Sequence, residues 1–327
     1  MSLLDKLDSK RVKRFSEPGI LSRVTRFVST GCLPLDLVMG GGIPVGRVTE
    51  VYGDTSTGKS LLGLHILAET QAAGGIAALF DTETASSEEI LKAVGIDLDS
   101  LAYYTPETIE EVYEDLLDLL EAKRKNLPDE VMVVVWDSIA ATSADKELED
   151  IAKKGLGAAT MGIHARLMSQ LCRVLPRTIS RDKVALVVLN QTRQKLGVLF
   201  GDDEVTFGGK AIGFYSSVRL RMRYVGKIKA PGKDIAGIKV KITVVKNKIA
   251  PPFGEVEIPI LFGSGVDEAG AILSWMHDRD LLKISGGWKK LSLNGEEYKF
   301  QSDSDWREIY GQWKDAIDDL VINDYEN

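Results

Sequence analysis

The hydropathy pattern changes period repeatedly along the chain. Residues 47–52 alternate and are rich in β-branched side chains, while 61–67 continue at helical spacing, so a strand gives way to a helix between them. Short apolar runs at 75–80, 131–136 and 184–189 read as buried strands, being too short to favour helices. Between the first two, Ile109, Val112, Leu116, Leu119 and Leu120 recur every three or four residues with acids outside, which predicts a helix over 108–125 lying on a sheet. A further helix is expected over 162–175, carrying Arg166 and Arg173. Residues 217–223 and 239–246 alternate with Arg and Lys, the pattern of half-exposed antiparallel strands. Helical spacing returns over 271–279 and 306–320, and Leu3, Leu4, Leu7, Val12 and Phe15 outline a short amphipathic helix ending before Pro18-Gly19.

Three stretches lack such a period. The glycine-dense run 40–46 is expected to cross the top of the sheet on its way into the first strand. Residues 144–161 are polar and contain glycine, and 192–210 hold Gly197, Gly201, Gly208 and Gly209 among charges, too long for an ordinary connection. The order of elements predicts an α/β protein with a mostly parallel central sheet. We divide it into an N-terminal arm over 1–30, a core over 31–266 and a small α+β C-terminal domain over 267–327 around Trp288, Trp306 and Trp313.

Composition adds little to that picture, and charge adds more. The 327 residues are 44% hydrophobic and 27% charged, enough for a sizeable core. Without an apolar run of about 18 residues or a signal-peptide layout, a cytoplasmic protein that does not span a membrane is expected. Cys32 and Cys172 have no metal-ligand spacing with His65, His164 or His277, so they read as reduced, buried thiols. The net charge of −7 resides entirely in 267–327, with 14 acidic and 7 basic residues, whereas 191–266 holds 13 basic and 6 acidic. A basic segment followed by an acidic one permits anion binding by the first and electrostatic restraint by the second.

The chemistry begins at Gly53-Asp54-Thr55-Ser56-Thr57-Gly58-Lys59-Ser60, an uninterrupted phosphate-loop pattern placed between strand and helix. Glycines allow a tight turn whose N–H groups face phosphate oxygens at a helix N-terminus. In such a loop Lys59 reaches the β and γ phosphates and Ser60 offers a hydroxyl to Mg²⁺. Two strand ends supply carboxylates: Glu83 is a candidate to orient or deprotonate the attacking water, the alternative being a solvated loop acid, and Asp137 is a candidate to hold Mg²⁺ through water. Asn190-Gln191 places an amide at a third strand tip, suited to sensing the γ-phosphate.

The collinear run GDTSTGKS (53–60), DTE (81–83), VVVWDS (133–138), MGIHARLMSQ (161–170), LNQTRQKLGVLFG (189–201), FGGKAIGFYSSVRL (207–220) and VVKNKIAPPF (244–253) resembles the RecA recombinase family of bacteria and bacteriophages. The resemblance implies a RecA-like ATPase core that uses ATP and Mg²⁺, forms a helical filament on single-stranded DNA and pairs it with homologous double-stranded DNA. It also implies Glu83 as catalytic base, Asp137 as magnesium acid, Gln191 as the link between nucleotide and DNA, and Lys246 and Lys248 as cations reaching the adjacent subunit's ATP. The DNA loops would fall at about 145–162 and 192–210. Met161 and Leu196 match residues that separate base triplets, and Arg166, Arg173, Lys195, Gly208 and Gly209 match phosphate contacts.

The chain departs from the family where an adenine-stacking tyrosine is usual, with Ile90 there and Ser87 in place of a neighbouring aspartate, which leaves base selectivity open. Its N-terminal arm is short, and docking of that arm on a neighbour is implied by family architecture alone. Two other readings are a hexameric RecA-fold motor or helicase, which the loop motifs disfavour, and a DNA-annealing protein with a vestigial site, which Lys59, Ser60, Glu83 and Asp137 disfavour.

Overall fold

A computed structural model of the chain describes residues 24–155, 162–194, 204–229 and 235–326. The first elements are β1 (Phe27–Val28), α1 (Leu33–Met39), β2 (Ile43–Pro44), β3 (Val48–Gly53), α2 (Lys59–Ala72), β4 (Ile76–Asp81), α3 (Glu88–Val94) and β5 (Leu101–Tyr104). Next come α4 (Ile109–Asn126), β6 (Met132–Asp137), α5 (Asp145–Lys154), α6 (Ile163–Arg181), β7 (Val184–Gln194), β8 (Glu204–Thr206) and α7 (Lys210–Tyr215). The chain continues through β9 (Val218–Lys229), β10 (Ile235–Asn247), β11 (Glu255–Leu261), β12 (Gly265–Val266), α8 (Glu268–Asp278), β13 (Lys283–Ser285), β14 (Trp288–Leu293), β15 (Glu296–Phe300) and α9 (Asp303–Glu326).

The apolar runs become the middle of one sheet, in the order β12-β11-β10-β9-β3-β7-β6-β4-β5, with β8 added beside β7. From β9 to β5 neighbouring strands are parallel; β10, β11 and β12 continue antiparallel. After β3 the chain passes along α2 and re-enters at β4, leaving β7 and β6 between them. The carboxyl ends of β3, β7, β6 and β4 therefore border one crevice, the usual ligand position in an open α/β sheet. Register places Gly53 opposite Gln191 and Asp81 opposite Asp137.

Helices cover both faces. On one, Leu62, Ile66 and Leu67 of α2 pack on the sheet, and Trp275, Trp306, Ile317 and Val321 of α8 and α9 extend the same apolar layer. On the other, Val112, Leu116 and Leu120 of α4 meet Met168, Leu171 and Leu175 of α6. The capping box of Thr108 and Glu111 starts α4 by satisfying its first free N–H groups. Both cysteines are buried thiols, and burial pushes the Cys172 thiol up to about 12.

Several expectations change. The 40–46 run crosses the opposite end of the sheet from the one expected: the Gly46 N–H donates to the carbonyl of Val184, the first residue of β7 (2.9 Å). Of the first presumed loop, 145–154 is the helix α5. The second is shorter than 192–210, because β7 runs to Gln194 and pairs antiparallel with β8, and α7 starts at Lys210. β9 is antiparallel to β10 as expected but parallel to β3. The N-terminal helix before Pro18, together with Met161, Lys195 and Leu196, lies outside the described residues.

Candidate active site

β3 ends at Gly53, and the chain turns directly into α2. Only glycine fits either end of that turn. A Cβ on Gly53 would stand 2.1 Å from the Met222 carbonyl oxygen of β9, and Gly58 has φ +84° with a Cβ position 2.4 Å from Ile260 Cδ1. Within the turn, Thr57 Oγ1 donates to the Asp54 carbonyl (2.9 Å). Lys59 Nζ curls back to donate to the carbonyls of Asp54 (2.7 Å) and Gly53 (3.1 Å). Burial pulls the Lys59 pKa down, while Asp137, Glu83 and Asp54 oppose that shift.

Ser60, in the first turn of α2, hydrogen-bonds the Asp137 carboxylate at the end of β6. Burial raises the Asp137 carboxyl to about 6, the Ser60 bond counters it, and the charges of Glu83 and Asp81 add to the rise. Glu83 follows β4 by two residues, and its Oε1 accepts from Ser138 Oγ (2.6 Å) and from Gln191 Nε2 (3.3 Å). These groups line a cleft of about 450 Å³ whose apolar wall is Ile238, Ile260 and Phe262, with Thr55 and Ser56 also on its lining.

The structure thus brings together Lys59, Ser60, Glu83, Asp137 and Gln191, which lie far apart in sequence. A serine hydroxyl beside a carboxylate is an all-oxygen set, which fits a hard divalent cation, and the loop's N–H groups at the start of α2 fit phosphate. Ile90 and Ser87 lie outside this lining; Ser87 Oγ instead accepts the Ile90 N–H as the cap of α3 (3.3 Å).

Lys246 and Lys248 are not brought to this cleft. Arg219, the partner of Lys246, lies three residues below Met222, the residue level with Gly53, so Lys246 sits about 10 Å down the sheet and two strands across. Lys246 Nζ donates to the carbonyls of Gly213 and Phe214 at the end of α7 (2.8 Å each), and burial lowers its pKa to about 8. The Lys248 N–H donates to the Ser217 carbonyl (2.9 Å).

Arg166 and Arg173 are exposed on α6. Gly208 and Gly209, both at positive φ, lie against the same helix, where added Cβ atoms would meet Met168 Cγ at 3.3 Å and Ala165 Cβ at 3.4 Å. The three other DNA-contact residues named from sequence lie outside the described residues.

Sequence reasoning missed the supports of the site. Asp81 accepts the N–H groups of Ser86 (3.0 Å) and Ala85 (3.4 Å), shaping the loop that carries Glu83. Thr192 Oγ1 donates to Asp54 Oδ1 (2.8 Å), tying β7 to the phosphate loop. Buried Glu50 takes Arg219 Nε (2.6 Å) and Asn190 Nδ2 (3.0 Å); Asn190 Nδ2 also reaches the Phe207 carbonyl (3.0 Å), beside Gly208. An acid inside a β-branched strand was the available signal for Glu50, but its partners are distant in sequence.

A phosphate loop, two acids and an amide at the carboxyl ends of adjacent parallel strands define a nucleoside-triphosphate hydrolase of the phosphate-loop class. The family described as RecA N-terminal domain matches residues 19–267. The chain is 39% identical over 311 residues to Protein RecA of Lactobacillus acidophilus, covering 92% of this chain and 83% of that protein. It is 42% identical over 261 residues to Protein RecA of Ruegeria pomeroyi (80% and 72%) and 36% identical over 330 residues to that of Rubrobacter xylanophilus (99% and 92%). The chain belongs to the RecA family, whose members are DNA-dependent ATPases of homologous recombination. Among the described residues no helix is long and apolar enough to cross a membrane.

Proposed function

We propose that this chain hydrolyses ATP as a subunit of a helical filament on single-stranded DNA, which it pairs with a homologous duplex and exchanges. The observation that carries the reading is continuity. Gln191, in contact with Glu83, belongs to the same strand that runs on to Gln194 and pairs with β8, so nucleotide state and the segment between those strands share one backbone.

In this reading the loop N–H groups and Lys59 hold the phosphates, and Glu83 takes a proton from the attacking water. Ser60 and Asp137 would hold Mg²⁺, which would supply positive charge to offset that on the phosphate oxygens. Gln191 leaves Glu83 for the γ-phosphate and carries β7 with it. Met161 and Leu196 separate base triplets, while Arg166, Arg173, Lys195, Gly208 and Gly209 meet phosphates. Lys246 and Lys248 act on a neighbour's nucleotide, which suits their distance from the cleft of their own chain. A strand-exchange assay with and without ATP tests the whole reading: ATP-dependent exchange is expected, and none with either would contradict it. Electron microscopy on single-stranded DNA with a slowly hydrolysed ATP analogue should show helical filaments; closed rings would favour a hexameric motor.

A further inference from the structure

Behind Glu83 lies a chain of hydroxyl groups with no role in the mechanism above. Trp136 Nε1 donates to Thr142 Oγ1 (3.0 Å), which lies 3.2 Å from Thr82 Oγ1 and donates to the Ser138 carbonyl (2.8 Å). Thr82 Oγ1 in turn accepts the Ser138 N–H (2.9 Å). The next residue is fixed as well, since the Ile139 N–H donates to the Leu189 carbonyl of β7 (3.1 Å). Ser138 is 2% exposed, both its backbone polar groups are engaged, and its hydroxyl donates to Glu83 Oε1 at 2.6 Å.

We propose that Ser138 is a positioning residue for hydrolysis, its hydroxyl holding the Glu83 carboxylate at the attacking water; this rests on the reading of Glu83 as the base. Glu83 is exposed on a loop, so its side chain otherwise samples several rotamers and places its oxygens poorly. Gln191 touches the same oxygen at the longer distance of 3.3 Å and, in the reading proposed above, turns to the γ-phosphate when one is bound. Among the described residues, Ser138 is the contact that remains. Its short bond to an ionised acceptor is of the stronger, charge-assisted kind, and it leaves Oε2 for the water's proton. Trp136, Thr142 and Thr82 act one step further back by keeping Ser138 aimed.

The test compares Ser138→Ala and the near-isosteric, weaker donor Ser138→Cys with the unsubstituted protein, reading kcat and KM for ATP, with and without single-stranded DNA, and the Kd of MgATP. Loss of an interaction that aims the base lowers kcat by about tenfold for Ala and less for Cys, with KM and Kd within about twofold. An unchanged kcat, or a Kd that weakens in parallel with kcat, overturns the proposal. A protein that hydrolyses ATP but ignores DNA counts against the recombinase reading instead, and leaves the Ser138 comparison readable in the basal rate.

Discussion

Asp137 is withdrawn from water at the end of β6, and its carboxyl is pushed up to about 6. Its ordinary value is about 3.9, so the folded chain holds this proton more tightly than the unfolded chain. Its favourable contribution to folding is therefore complete below about pH 4 and lost as pH rises through about 6, leaving an ionised, costly carboxylate at neutral pH. Asp137→Asn should raise stability by about 1–3 kcal/mol at pH 7.5 without nucleotide, while weakening Mg²⁺-dependent ATP binding. Thermal melts and a nucleotide titration check both halves; a lower melting temperature would contradict the first. In the unsubstituted protein, MgATP affinity should fall as pH drops through about 6. The phosphate loop, Glu83, Asp137 and Gln191 were legible because each follows a strand whose apolar run marks its end. Ser138, Thr82 and Asp81 were not, since short polar residues beside a motif look like any loop until the partners are seen.

Elements buried on both faces were legible for the same reason. Runs such as 131–136 must exclude polar residues where α2 and α4 cover them, and the structure places β6 there. α5 escaped because it is short and buries no residue: Leu148, Ile151 and Ala152 line only a narrow edge among charges, and its surface carries the pairs Lys153–Glu149 and Lys154–Asp150. β7 was read too short because its last residues leave the covered part of the sheet for β8 and turn polar. At this scale Gly53 is the loop position that lies closest to a neighbouring strand. Gly53→Ala would force β3 away from β9, so both the melting temperature and nucleotide binding should fall, by about 2 kcal/mol or more in stability. A stable variant with intact nucleotide affinity would show that the close approach to Met222 is not needed.

For the whole molecule, the division into arm, core and C-terminal domain was drawn from composition, but packing does not stop at that last boundary. α8 and α9 share their apolar layer with α2, and Arg307 pairs with Asp267 at the head of α8. The charge asymmetry was legible from residue counts; the placement of Lys246 and Lys248 away from their own phosphate loop was not, because it depends on the order β3-β9-β10. Affinity for single-stranded DNA should fall linearly on a log–log plot against salt, and a flat line would exclude phosphate contacts by the basic segment. Lys246 and Lys248 are proposed to complete the hydrolytic site of a neighbour on DNA. The decisive measurement is ATP turnover by Glu83→Gln subunits mixed with Lys246→Ala subunits on single-stranded DNA. Each variant alone should be inactive, and the mixture should recover up to about a quarter of the unsubstituted rate, because interfaces then form with Glu83 on one side and Lys246 on the other. Activity in Lys246→Ala alone, or a mixture as inactive as its components, would show that the site is complete within one subunit.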